Sequence, residues 1–559
     1  MRIYTIVRNQ DRKWAIAYEK SKDKTVSQWW DDIKGSNLLE GRTEYYLAKK
    51  NGKWAIFHIS NPNKPISKWW DDIIYEAGLV AGQSDYYIVT SQDGKEAIFH
   101  KDNPDQPISK WWPQISPDGL VKGRSKYYKV KHKGKYAIFH EGNCDVNISN
   151  WYDKIESEGL INGQSNYYLA SANDQWAIFC NDIPSVPISQ WWKKIQENGL
   201  VKGESEYYIV TNSENKQAVF HKDNPDQPIS QWWAKIGSDG LVKGQSDYLI
   251  VTTTYFGSAI FHKDNPEEPI SDWHNKIYTD GLVEGISDYY IAQDSEGKCA
   301  IFHKSKPYKK LSKWWDFIST DGLIEGTSIY YRARNSLDHY AIFSIYNPEQ
   351  PMTGWYYRIY ADGLFLGKTD YYIAAFLDNV YVKIFHIKDP NKPVAHYQWA
   401  NVSPIGLFNG TSQCYAVTHH YTSNVEVYHV DDLSSSLAYT LPISDIDLVL
   451  HITEQYAIYM KDKYLMVYDA SLMQENILMP LNEDIIEAIR KKRAIGHYTT
   501  DKLISTYIQY NYIPILLDDS YFLCNLRDAS ITTFNTQRQL KKYIQQQLDM
   551  YNNNITILY

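Results

Sequence analysis

A tyrosine pair returns along this chain at Tyr45, Tyr86, Tyr127, Tyr167, Tyr207, Tyr248, Tyr289, Tyr330 and Tyr371, at intervals of 40 or 41 residues, with Leu249 replacing the second member once. A worn copy precedes the first pair and another begins at Cys414. Between these marks the order is constant: Tyr-Tyr-Ile-Val, a polar turn such as Gln92-Asp93-Gly94, Ala-Ile-Phe-His, a Pro-bearing loop, Ile-Ser-x-Trp-Trp-x-x-Ile and Gly-Leu-Val-x-Gly. One supersecondary module per period is the reading. Because the core of a repeating chain grows lengthwise, 559 residues do not imply several globular domains. Residues 1–413 read as about ten tandem units, 414–480 as degenerate capping repeats and 481–559 as a non-repeating α/β tail.

Within a unit, two short β-rich runs separated by Asp-Gly or Asn-Gly, such as Tyr86 to Thr90 and Glu96 to His100, predict a β-hairpin. After the loop, Ser109 is placed to cap a one-to-two-turn helix carrying Trp111, Trp112 and Ile115, with Gly119 as its left-handed C-cap. The expected fold is mainly β, each repeat a hairpin plus a short helix, stacked as an open curved solenoid. A β-propeller, or a pair of them, is the competing architecture, disfavoured because ten or so units exceed the usual four to eight blades.

The copies also report on burial, since a core position should reject polar replacements. The first Trp of each pair persists from Trp29 to Trp355, whereas the second becomes Tyr152, His274 and Tyr356. The first is therefore expected in the core and the second half-exposed. On the first strand, the position after the second Tyr admits Lys129 and Arg332, so period-two alternation places the second Tyr inward and the first outward. The candidate partner-binding residues are accordingly the second aromatics Trp70, Trp112, Tyr152, Trp192, Trp233, His274, Trp315 and Tyr356, with Tyr86 and Tyr207 from the outward ladder.

Segments such as Asn51-Gly52-Lys53-Trp54-Ala55-Ile56-Phe57, followed by Trp70-Asp71-Asp72-Ile73 and Gly78-Leu79-Val80, resemble the WG (KWG) repeats common in bacterial proteins. The resemblance covers roughly residues 1 to 430. It departs where Trp-Gly becomes Trp54-Ala55 or Glu96-Ala97, and in a period several residues longer. It implies a β-rich repeat scaffold rather than any particular activity.

Several functions are disfavoured. With net charge −8 and both signs interspersed, there is no basic stripe for a phosphate backbone, so no nucleic acid is expected as partner. No apolar run is long enough for a membrane helix, and the first ten residues read as a strand without a signal-peptide core, so a cytoplasmic location without membrane insertion is expected. The five cysteines are scattered and odd in number. A histidine ends the second strand at His58, His100, His140, His221, His262, His303 and His386, but no second ligand type accompanies it, so no metal and no cofactor is expected. Internal duplication multiplies equivalent positions where catalysis needs a singular constellation, so the chain is not expected to be an enzyme.

Three functions remain: a multivalent scaffold for protein partners, homotypic assembly into filaments or layers, and lectin-like carbohydrate binding. The second draws on identical loops, Phe99 to Ser109 matching Phe220 to Ser230. In the tail, Asn482 to Arg493 and the stretch from Thr536 with Leu540, Ile544 and Leu548 are expected to be helices.

Overall fold

The computed structural model describes residues 4–19, 21–376, 381–403, 405–419, 424–431, 434–443, 449–481, 512–517, 520–525, 530–534 and 543. The helix expected over Asn482 to Arg493 lies outside the described residues, as does the one expected from Thr536 apart from Tyr543, which is helical. The chain divides into two compact units. The first holds Met1–Trp273 with Val283–Gly285, and the second His274–Leu282 with Ile286–Tyr559.

Each unit is a succession of small antiparallel sheets, one per repeat. Numbered in chain order, sheet 3 contains Asp72–Ile73, Tyr86–Thr90 and Glu96–His100. Sheet 4 contains Gln114–Ile115, Tyr127–His132 and Lys135–His140, and sheet 5 contains Lys154–Ile155, Tyr167–Ala172, Gln175–Cys180 and Ile183–Pro187. Sheet 6 contains Lys194–Ile195, Tyr207–Thr211 and Gln217–His221. The hairpin holds: Tyr86 faces His100 and Thr90 faces Glu96, around a turn in which Gly94 has φ of 73°.

The expected helix does not form. Within the repeats, the only helical turns among the described residues are Ser36–Leu39 and the 3₁₀ turn Gly78–Ala81. The Ile-Ser-x-Trp-Trp-x-x-Ile segment instead runs extended from one sheet to the next. Trp112 exchanges backbone hydrogen bonds with Glu96 at the outer edge of sheet 3 (2.7 and 2.8 Å), and three residues later Ile115 pairs with Val130 in sheet 4. Ser109 is therefore a strand clip. Its Oγ accepts the Ile98 N–H at 2.9 Å and donates to the Lys110 carbonyl at 2.9 Å. Gly119 keeps its left-handed backbone, φ of 79°, for another reason: a Cβ there would lie 2.2 Å from the Tyr127 carbonyl oxygen.

Sheets pack on both faces, which explains strands that read Tyr-Ile-Val without polar alternation. Tyr87, Val89, Ala97 and Phe99 of sheet 3 pack with Leu47 and Ile56 of the preceding repeat. The opposite face, Ile88 and Ile98, packs with Tyr128, Val130, Ala137 and Phe139 of sheet 4. The second Tyr is buried as expected, Tyr46, Tyr87, Tyr128 and Tyr168 all fully so. The position after it is not a solvent face, because it points at the next sheet. Lys129 and Arg332 occupy that inter-sheet space.

Candidate functional site

The half-exposure expected of the second aromatic holds at six of the eight positions and fails at Tyr152 and Tyr356, and the core placement expected of the first Trp is corrected, since it is half-buried too; the extended segment gives the reason. Consecutive side chains of an extended chain diverge, so the two aromatics serve different sheets. Trp111 packs edge-on against Phe99 of its own repeat, 6.1 Å between ring centroids. Trp112 enters the next interface, 5.3 Å from Phe139 and 5.9 Å from Trp151. The same relay joins Trp70 to Trp111, Tyr152 to Trp191, Trp192 to Trp232 and Trp233 to Trp273 in the first unit, and His274 to Trp314 and Trp315 to Trp355 in the second.

The second aromatic is thus an inter-repeat wedge. Tyr152 and Tyr356 are buried, Trp70, Trp112, Trp192, Trp233, His274 and Trp315 are half-buried, and the first Trp is no more covered, Trp29 being 41 % exposed. The indole N–H groups of Trp70, Trp112, Trp192, Trp233 and Trp315 are sealed from solvent. Replacement by Tyr or His at this position reflects a slot that accepts several flat rings, and the two Tyr replacements are the buried ones. Tyr86 and Tyr207 are half-buried, each edge-on to its strand-end histidine at 5.0 Å. Tyr86 also donates to Glu141 Oε2 of the next repeat at 2.7 Å, and burial together with that carboxylate pushes its hydroxyl up to about 12.

The strand-end histidines shape the loops that follow them. His140 Nδ1 accepts the Gly142 N–H at 3.0 Å, and His100, His221 and His262 accept the N–H two residues on at 3.3 Å. On the other ring nitrogen, His58 meets Glu44 at 2.9 Å and His221 meets Glu206 at 3.2 Å. Among the described residues no three His, Cys, Asp or Glu converge as metal ligands, and no helix is long and apolar enough to cross a membrane.

Two features of the surface were hidden in the sequence. The first is a row of clipped loops along the first unit. In four successive repeats the residue after the buried Ser reaches the segment that follows the second strand of the next repeat: Lys68 to Asp105 and Lys110 to Asp145 at 3.2 Å, Asn150 Nδ2 to the Ser185 carbonyl at 3.3 Å and Gln190 to Asp226 at 3.2 Å. Exposed contacts of this kind add little stability, so their effect is to hold neighbouring loops in register. Some of these segments carry large apolar side chains in water: Val146 in a loop and Ile183 and Val186 on the edge strand Ile183–Pro187 in the first unit, and Tyr308 and Tyr346 in the second, 55 to 83 % exposed.

The second feature is how each sheet serves the inner-edge strand of the next. That edge strand leaves an Ile backbone N–H and C=O facing the preceding sheet. Glu96 Oε2 accepts the Ile115 N–H at 2.6 Å and Gln217 Oε1 accepts that of Ile236 at 2.8 Å. Lys129 Nζ donates to the Ile155 carbonyl and to Ser157 Oγ, both at 2.9 Å, beneath the Tyr136 ring 5.7 Å away. In the second unit Arg332 donates to the Ile359 carbonyl, with Asp321 as its ion-pair partner. Ser157 in turn donates to Asp118 at 2.7 Å, and Lys122 Nζ lies 2.8 Å from the same carboxylate. Burial by itself would raise Asp118; the Lys122 and Ser157 hydrogen bonds outweigh it and hold the carboxyl at about 2. Burial lowers the Lys129 ammonium.

No family model matches the chain, and no curated protein matches it. Among solved structures, Kluyveromyces lactis Hsv2 aligns at 10 % identity over 49 % of this chain and 94 % of its own, with a TM-score of 0.22. A KlHsv2 form with loop 6CD replaced by a Gly-Ser linker aligns at 14 % identity over 54 % and 93 %, with a TM-score of 0.21. A eukaryotic initiation factor aligns at 10 % identity over 63 % and 95 %, with a TM-score of 0.24. At such scores these likenesses carry no argument about fold or activity.

Proposed function

We propose that this chain is a non-enzymatic repeat scaffold that binds protein partners at several points along its Pro-bearing loops. The observation that supports it is the row of inter-repeat segments held in register along the first unit, two of which, those with Asp145 and Ser185, carry Val146, Ile183 and Val186 in water, the surface type by which repeat arrays engage extended partners. The reading agrees with the scaffold role implied by resemblance to WG repeats. An open curved solenoid remains our reading of the stack against a propeller, and negative-stain microscopy separates the two. Carbohydrate binding is the weaker reading, because the indole edges a sugar would hydrogen-bond are sealed.

The test is affinity purification of the full chain beside a Val146→Asp, Ile183→Asp, Val186→Asp variant, with quantitative mass spectrometry. Enrichment of specific partners by the parent and their loss in the variant are expected. An unchanged partner list refutes the loop row as the binding surface. Homotypic assembly is the second reading, favoured by the identical loops Phe99 to Ser109 and Phe220 to Ser230. Light scattering of the parent and the same variant across concentration tests it; a parent that stays monomeric at tens of micromolar removes it.

A further inference from the structure

Between sheets 5 and 6 lies a cavity of about 600 Å³, lined among others by Leu169, Trp176, Glu156, Ile195, Glu197 and Asn198. Its volume falls within the usual range of small-ligand sites, about 300 to 1,000 Å³. Comparison with the neighbouring interface shows what chemistry the space suits. Between sheets 4 and 5, the corresponding space is filled by the Lys129 side chain, whose ammonium meets the Ile155 carbonyl, the Ser157 hydroxyl and the Tyr136 ring. One repeat later Leu169 stands where Lys129 was, Ile195 where Ile155 was, Glu197 where Ser157 was and Trp176 where Tyr136 was.

Three of these differences favour a cation arriving from outside the chain, against the loss of acidic groups where Lys193, Gln196 and Asn198 stand in the places of Asp153, Glu156 and Glu158. Leu169 cannot donate to the Ile195 carbonyl as Lys129 does to Ile155. A hydroxyl acceptor has become a carboxylate. The ring facing the cation has become indole, the strongest cation–π partner. Lys122, which neutralises Asp118, is replaced at its repeat position by Asn162 beside Glu158. Burial, and then the nearby Glu156 and Glu158, raise the Glu197 carboxyl despite Lys202 and Lys194. Two lysines also line the cavity, Lys193, held by Asn215 Oδ1 at 2.6 Å, and Lys194, whose charge an incoming cation must share with the carboxylates; Lys202, outside the lining, is held by Asn198 Oδ1 at 3.3 Å.

We propose that this cavity is a binding site for an alkylammonium or alkylguanidinium group, received by the Ile195 carbonyl, the Glu197 carboxylate and the Trp176 ring as Lys129 is received one interface earlier. Arg332, which donates to the Ile359 carbonyl in the second unit, shows that the guanidinium form suits the same kind of place. The proposal is independent of the loop scaffold and survives its failure.

The test is calorimetric titration of the full chain with n-butylammonium, n-butylguanidinium and the neutral isostere n-butylurea. Saturable binding of one cation per chain is expected, with no binding of the urea. Leu169→Lys, which installs the chain's own cation in a setting already tolerated at Lys129, should abolish binding. Glu197→Gln should weaken it about tenfold or more, since one charge-assisted hydrogen bond is worth about 1.5 to 3 kcal/mol and each 1.4 kcal/mol is tenfold. Capped Gly-Lys-Gly and Gly-Arg-Gly distinguish the source: tighter binding than the free amines assigns a protein side chain, and the reverse assigns a free amine. Equal binding of the urea, unaltered binding by folded Leu169→Lys or Glu197→Gln, or no saturable binding of either cation overturns the proposal.

Discussion

Tyr168 and Tyr208 hold the same position in sheets 5 and 6, yet their replacement by Phe should have opposite effects. Both are fully buried and stack on the cross-strand Phe, 5.2 Å from Phe179 and 5.7 Å from Phe220. Tyr168 donates to the Pro184 carbonyl at 2.5 Å, whereas the Tyr208 hydroxyl is buried without a protein partner. Tyr168→Phe removes a net hydrogen bond of about 0.5 to 1.5 kcal/mol and leaves the carbonyl to find another donor. Tyr208→Phe removes a hydroxyl whose uncompensated burial costs about 1 to 3 kcal/mol on mutational scales, so it should be neutral or stabilising. The two variants should differ by about 2 kcal/mol or more, roughly thirtyfold in local opening. Hydrogen exchange at the Ile178 and Val219 amides, one in each sheet, reads that opening directly. Equal destabilisation by both variants would show that the hydroxyls have equivalent partners and refute the reasoning.

Ser109→Ala should destabilise by about 1 to 3 kcal/mol, because the Ile98 N–H is left buried without an acceptor; the urea midpoint of tryptophan fluorescence measures it, and an unchanged midpoint counts against the clip. Gly119→Ala should be far more damaging than Gly94→Ala. Both glycines have left-handed backbones, but a Cβ at Gly94 meets nothing within 4 Å while one at Gly119 meets the Tyr127 and Ile161 carbonyl oxygens at 2.2 and 2.8 Å. Thermal midpoints of the two variants should separate clearly. Asp118 has a folded pKa of about 2, below its unfolded value, so its contribution is present at neutral pH and is lost as pH falls through about 4 towards 2. Asp118→Asn should therefore flatten the acid limb of stability measured between pH 6 and pH 3, and a limb of unchanged steepness would contradict that assignment.

What was legible in the sequence is what short-range geometry dictates. The Tyr86–Thr90 and Glu96–His100 hairpin follows from two β-rich runs around Asp93-Gly94, and burial of the second Tyr follows from its refusal of polar replacements. The 40- or 41-residue period announces one module per repeat before any coordinate is known. Internal drift misled where tolerance and exposure part company. Tyr152 and Tyr356 replace Trp inside the stack, and Lys129 and Arg332 replace apolar residues between two sheets because a backbone carbonyl waits there for a cation.

Ser-x-Trp-Trp carries cap-like chemistry, and nothing local to it distinguishes a helix from a strap. Only the strand edges on either side, Glu96 of its own sheet and Val130 of the next, whose backbone the segment pairs with, make the extended form the better one. The sequence by itself therefore determined the repeating unit and its hairpin, which are held by neighbours in the chain. Tertiary structure decided which faces are buried, where Ser109 bonds and which interface keeps a cavity, because those depend on groups one repeat away that must satisfy each other's hydrogen bonds and charge.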